Sequence, residues 1–151
     1  MVDGPTHRYM ESSPGCWAAY GEVLTREYSN PDLLDVHRLT VDAYAIQHPG
    51  QPSRQSIQSV TGHLVRLMLQ LERGIRGERA NRVMTALMKH DREFTWLEPP
   101  PSRGRLTVAD VLPCVDPVEH RAAVEAWARS ALEAWAPHRA TMERWAAVVL
   151  P

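Results

Sequence analysis

Two cysteines in 151 residues, Cys16 and Cys114, are too few for a disulfide framework or for an all-thiolate zinc site built within the chain. Charge of one sign is also missing. The formal net charge is -1, so there is no global attraction toward nucleic acid or an anionic membrane, and neither is expected as a partner. No apolar run approaches the roughly 18 to 20 residues of a membrane span. The opening residues MVDGPTHRYM lack the basic-then-apolar plan of a signal peptide, so a cytoplasmic location is expected. No window alternates apolar and polar residues for more than a few positions, which excludes a recognisable sheet, and no internal repeat is present. What the chain does have is 44% hydrophobic and 23% charged residues, the balance of one folded domain with a sizeable core. It also has seven His, five Trp and twelve Pro.

Proline and its neighbours divide the chain. Residues 1–12 are polar and aperiodic and read as an extended arm, and residues 13–151 as a single helical domain. Ser13-Pro14 is an N-cap followed by proline at the first helical position. The first helix carries Trp17, Tyr20, Leu24 and Tyr28 on one stripe and ends near Ser29. Asn30-Pro31-Asp32 repeats the start signal. The second helix carries Leu34, His37, Val41, Tyr44 and His48 and stops at His48, because Pro49-Gly50 cannot continue it. A third helix follows Ser53, with Ile57, Val60, Leu64, Leu67 and Leu71 as its seam, and ends near Gly74 or Gly77. A fourth runs from about Glu78 to His90. Pro99-Pro100-Pro101 marks a stiff loop, Thr107 caps a short helix, and Asp116-Pro117 opens a long Ala-rich helix kinked at Pro137. The predicted fold class is all-α, a bundle of four main helices with one or two shorter ones.

The histidines are the chemistry-bearing residues. His37 lies thirteen residues before Gly50 and His63 thirteen after it, so on antiparallel neighbouring helices the two reach the same level. At ~1.5 Å per residue that level is roughly 20 Å from the turn. His138 sits on the Trp-rich seam of the last helix, with Val124, Trp127, Ala131, Trp135, Met142, Trp145 and Val149. Three neutral imidazoles meeting in a bundle core are a ligand set for a divalent ion, zinc foremost, with a position left for water. His37, His63 and His138 are therefore the candidate metal ligands. His48 is explained by a helix end, and His90 and His120 read as surface positions near helix ends.

Two further residues are catalytic candidates. Cys16 is the third residue of its helix, where free N–H groups lower a thiol pKa, and His7 in the arm is a potential base or co-ligand for it. Tyr44 is a seam phenol and a secondary proton donor. The arginines at 66, 73, 76, 79 and 82 cluster around one turn, interrupted by Glu72 and Glu78, and read as a solvated, salt-bridged face.

The runs Asp3-Gly-Pro-Thr-His-Arg-Tyr9, Ser13-Pro-Gly-Cys-Trp17 and Val41-Asp-Ala-Tyr-Ala-Ile-Gln-His-Pro-Gly50 resemble those of an uncharacterised bacterial family, common in actinomycetes, carried as a domain of unknown function. The resemblance covers nearly the whole chain and implies no established activity. It does imply a zinc site made by a Cys-x-x-Cys pair ahead of this segment together with His7 and Cys16, of which this chain carries only the last two. A weaker likeness, in architecture and in His37, His63 and His138, is to the DinB-like bundles, which hold a divalent metal with three histidines. The functional expectation is a small helical-bundle protein whose metal-bound water serves hydrolysis or transfer on a small molecule. The alternative is a non-enzymatic binding or dimerisation module that uses the Trp seam and the Ala-rich last helix as its interface.

Overall fold

The computed structural model describes residues 13–150, and among them seven α-helices and three short 3-10 turns form with no strand. The all-α expectation holds. α1 spans Pro14–Ser29, and Ser13 caps it by accepting a hydrogen bond from the Cys16 N–H at 3.1 Å. Asn30 then accepts from the Asp32 N–H, opening the 3-10 turn Pro31–Leu33 that runs directly into α2, Leu34–Gln47. Ser53 caps α3, Arg54–Arg73, which ends on Gly74 in the left-handed conformation at φ 63°, a region where a Cβ is costly. α4 is Glu78–Met88. Thr107 and Asp110 form a reciprocal capping box on α5, Val108–Val111, and Asp116 accepts from two N–H groups to open α6, Pro117–Ala134.

The last helix departs from the expected kink. α6 stops at Ala134, a 3-10 turn covers Ala136–His138, and α7 resumes at Arg139–Val149. Proline 137 has no N–H to donate and its ring crowds the carbonyl one turn back, so here the helix breaks instead of bending.

α2 is the central element. It packs on α3 and α6, with α1 on its remaining side, while α4 and α7 lie against α3 and α5 bridges α1 and α6. The core contains Val23, Leu39, Tyr44, Leu64, Leu67, Leu87, Trp127, Trp135 and Met142, all essentially buried. The carbonyls in the last turn of α2 have no helical partner. Trp135 Nε1–H donates to the one on Ile46 at 3.2 Å. Gln47 accepts from Trp127 Nε1–H at 2.8 Å and donates to the carbonyls of Arg103 and Leu106, which ties the proline-rich loop to the core. Trp127, Trp135 and Trp145, the seam proposed as an interface, are thus used inside the protein's own core. No helix among the described residues is long and apolar enough to cross a membrane.

Candidate functional site

Two fully buried carboxylates organise the polar interior. The first is Glu27 of α1, one helical repeat of seven after Tyr20 and fully buried. The guanidinium of Arg26 can only donate, so where it meets Nδ1 of His120 at 3.1 Å that nitrogen is the acceptor. Nε2 of His120 therefore carries the hydrogen and donates to Glu27 Oε2 at 2.8 Å. Thr40 Oγ1 donates to the same oxygen, and Nδ1 of His37 donates to Oε1 at 3.0 Å. The two terminal nitrogens of Arg26 also donate to the carbonyls of Val111, Leu112 and Cys114, at and just beyond the C-terminal end of α5. Four helices, α1, α2, α5 and α6, meet in this network. His37 is half-buried against the ring of Tyr28, centroids 4.6 Å apart, and its Nε2 has no hydrogen bond among the described residues.

The second carboxylate is Asp42 of α2, also fully buried. Arg66 grips it with Nε at 3.0 Å from Oδ2 and an Nη at 2.6 Å from Oδ1, the fork geometry that suits guanidinium to carboxylate. Gln70 Nε2 donates to Oδ2 at 2.7 Å, and Nδ1 of His63 donates to Oδ1 at 2.7 Å. The amide of Gln70 cannot be reversed without setting its oxygen against the carboxylate, and in this orientation Oε1 is buried with no partner among the described residues. His63 lies in the wall of a cleft of about 340 Å³ between α3 and α4, with Gln55, Gln58, Ser59 and Arg66 on the α3 side and Met84 and Met88 on the α4 side. With Nδ1 committed to Asp42, Nε2 is the ring nitrogen left for the cleft. Gly62 of α3 lets the ends of Met84 and Met88 come close, because a Cβ there would lie 2.9 Å from Met84 Sδ and 3.0 Å from Met88 Cε.

The three histidines expected as ligands take three different partners. His37 is held by Glu27, His63 by Asp42, and His138 donates from Nε2 to the backbone carbonyl of Glu98 at 2.8 Å. Residues 37 and 42 are about 140° apart around α2, so one addresses α1 while the other addresses α3. Among the described residues no group of three or more His, Cys, Asp and Glu side chains is arranged to hold a metal ion.

The remaining candidates have structural surroundings. Tyr44 is fully buried and stacks on Tyr20, centroids 3.8 Å apart, with His48 at 4.1 Å on its other side. Burial, reinforced by Glu27, raises the Tyr20 phenol well above its usual range. His48 ends α2 with Nδ1 donating to the Tyr44 carbonyl at 2.9 Å, and burial lowers its pKa from 6.5. Cys16 is half-buried against the core, and its proposed partner His7, with the rest of the arm, lies outside the described residues. Arg66 leaves the expected arginine face for the interior, whereas Arg73 and Arg76 pair with Glu143 and Glu125. His120 corrects the surface assignment: it is fully buried, because it falls four residues before Val124 on the inward stripe of α6. That spacing was readable, but the carboxylates that receive the three imidazoles come from other helices and leave no local signal.

The fold and these two centres define a class: a small all-α protein with two imidazoles, each held through Nδ1 by a buried carboxylate. A model of a family of unknown function, DUF5946, matches residues 4–136, and the chain belongs to that family. No curated protein and no solved structure matches it.

Proposed function

We propose that the protein binds a metal ion and that His63, in the cleft between α3 and α4, is the ligand on which the site is built. The observation that carries this reading is the 2.7 Å bond from His63 Nδ1 to buried Asp42, which leaves Nε2 to the cleft. Metal-ligating histidines are commonly oriented in this way, the second ring nitrogen donating to a carboxylate that fixes the tautomer and raises ligand basicity. His37 on Glu27 repeats the arrangement and is the second candidate, whereas His138 spends its Nε2 on a backbone carbonyl. A divalent ion with an open position would polarise water for hydrolysis or transfer on a small molecule.

Metal analysis of protein purified without an affinity tag and reconstituted with single ions tests the reading. About one ion per chain is expected, retained in His138→Gln and lost in His63→Gln. Sub-stoichiometric metal in the wild type, or unchanged content in His63→Gln, overturns it.

The same geometry favours one other reading, in which no metal is needed. A neutral imidazole with Nδ1–H on a carboxylate presents Nε2 as a general base, and the cleft gives it a place for a substrate. Turnover or ligand binding that survives exhaustive chelation but is lost in His63→Gln would select this reading over the first.

A further inference from the structure

We infer that the ion suited to this cleft is soft and monovalent, of the Cu(I) class, held by Nε2 of His63 with the thioether sulfurs of Met84 and Met88. This rests on the reading that His63 is a metal ligand, replaces the divalent ion of that reading with a soft monovalent one, and adds the other donors.

Met84 and Met88 are four residues apart on α4, so they occupy one face. That face borders the core seam. The buried residues of α4 are Ala80, Val83 and Leu87; Met84 and Met88 are half-exposed, Met88 packs partly against the core, and both line the cleft. Any unbranched apolar side chain could fill these two positions, so packing alone does not account for a sulfur at both. The absence of a side chain at Gly62, the residue just before His63, lets both methionine ends lie against the α3 backbone, with Met84 Sδ at 2.9 Å from where a Cβ would be, in the cleft that His63 also lines. Three rotatable bonds allow each thioether to adjust onto an ion.

The donor chemistry then selects the ion. Thioether sulfur is a soft ligand that favours Cu(I), imidazole is tolerant, and hard cations such as Mg²⁺ and Ca²⁺ demand oxygen ligands. The cleft lining contains no carboxylate. The two carboxylates bonded to lining residues are already engaged, Asp42 by Arg66, His63 and Gln70 and Asp91 by Gln58. Arg66 also lines the cleft with its charge paired to Asp42, so the lining offers no net negative charge of the kind that favours a divalent ion over a monovalent one.

The test is an anaerobic titration of the full chain with Cu(I) against a chromophoric Cu(I) chelator, alongside parallel titrations with Ag(I) and Zn(II), following the methionine ε-methyl and histidine ring resonances. One Cu(I) per chain is expected, shifting the methyls of Met84 and Met88 and the ring nitrogens of His63. Met84→Leu and Met88→Leu nearly conserve volume, so the fold is kept; each should weaken Cu(I) by at least the roughly tenfold that loss of a residue merely orienting a ligand costs, without changing Zn(II). Cu(I) affinity unchanged in both methionine variants overturns the donor set. Zn(II) bound at His63 more tightly than Cu(I), with unmoved methyls, overturns the soft class while leaving the metal reading intact. Binding of none of these ions overturns both.

Discussion

Replacing Glu27 separates the value of its charge from the value of its acceptor oxygens. In Glu27→Ala, His120 Nε2–H and Thr40 Oγ1–H lose their acceptor in fully buried surroundings, while His37, half-exposed, can turn to water. A stranded buried donor costs about 1–3 kcal/mol, so the two together cost about 4 kcal/mol before any relaxation. A domain stable by about 5–15 kcal/mol remains mostly folded after such a loss, which keeps the measurement possible. Glu27→Gln should behave differently. Its amide oxygen can take the place of Oε2 and receive both buried donors, while its NH₂ faces His37, whose neutral ring can present Nδ1 as an acceptor by changing tautomer. A cost of about 1 kcal/mol is expected for Gln. Urea unfolding with an unchanged m-value measures both differences. Equal losses in the two variants would refute the reasoning, since they would make the negative charge, not the acceptor count, the stabilising quantity; an Ala loss below about 1 kcal/mol would refute the burial cost itself.

Asp42→Asn leaves the Arg66 guanidinium buried without its counter-charge and should cost about 3–5 kcal/mol by the same assay; a loss comparable to a surface substitution would mean that Arg66 escapes to solvent. Gly62→Ala should stay within about 1 kcal/mol of wild type, because the helical gain of Ala over Gly offsets the displacement of two flexible methionine ends. It should nonetheless weaken Cu(I) binding by crowding the sulfurs. His48 supplies a pH dependence. Its folded pKa is depressed by burial, so its contribution is present above about 6.5 and is lost as pH falls through the lower folded value. Wild type should therefore lose more stability than His48→Gln on acidification, as measured by denaturant midpoints, and a pH-independent difference would count against it.

The helix boundaries were legible because their signals are local. Ser13, Asn30, Ser53, Thr107 and Asp116 each use their own side chain within three residues, and the caps form where composition places them. The inward placement of His37 and His63 was legible for the same reason, since it depends only on spacing along one helix. Their partners were not. α2 is enclosed on three sides, so residues about 140° apart on it are both covered, and periodicity does not say which neighbour covers which. Glu27 and Asp42 look like ordinary surface acids in a window of a few residues. Only the approach of α1, α3 and α6 makes them the two centres of the interior. The break at Pro137 was readable as a disturbance, but its severity depended on whether the surrounding packing would let the helix continue.

The enclosure of α2 also orders the ways in which this molecule can open. Freeing α2 requires α1, α3 and α6 to separate together, so its amides belong to the most protected unit of the fold. α4 is peripheral by comparison, held by Ala80, Val83 and Leu87 and lying against α3 and α7. The cleft of His63 therefore joins two regions of unequal connection: an imidazole fixed through Asp42 to the most enclosed helix, and two methionines on a helix with fewer neighbours. Separation of α4 would uncover Ala80, Val83 and Leu87 and part the two walls of the cleft, yet leave the bond from His63 to Asp42 in place.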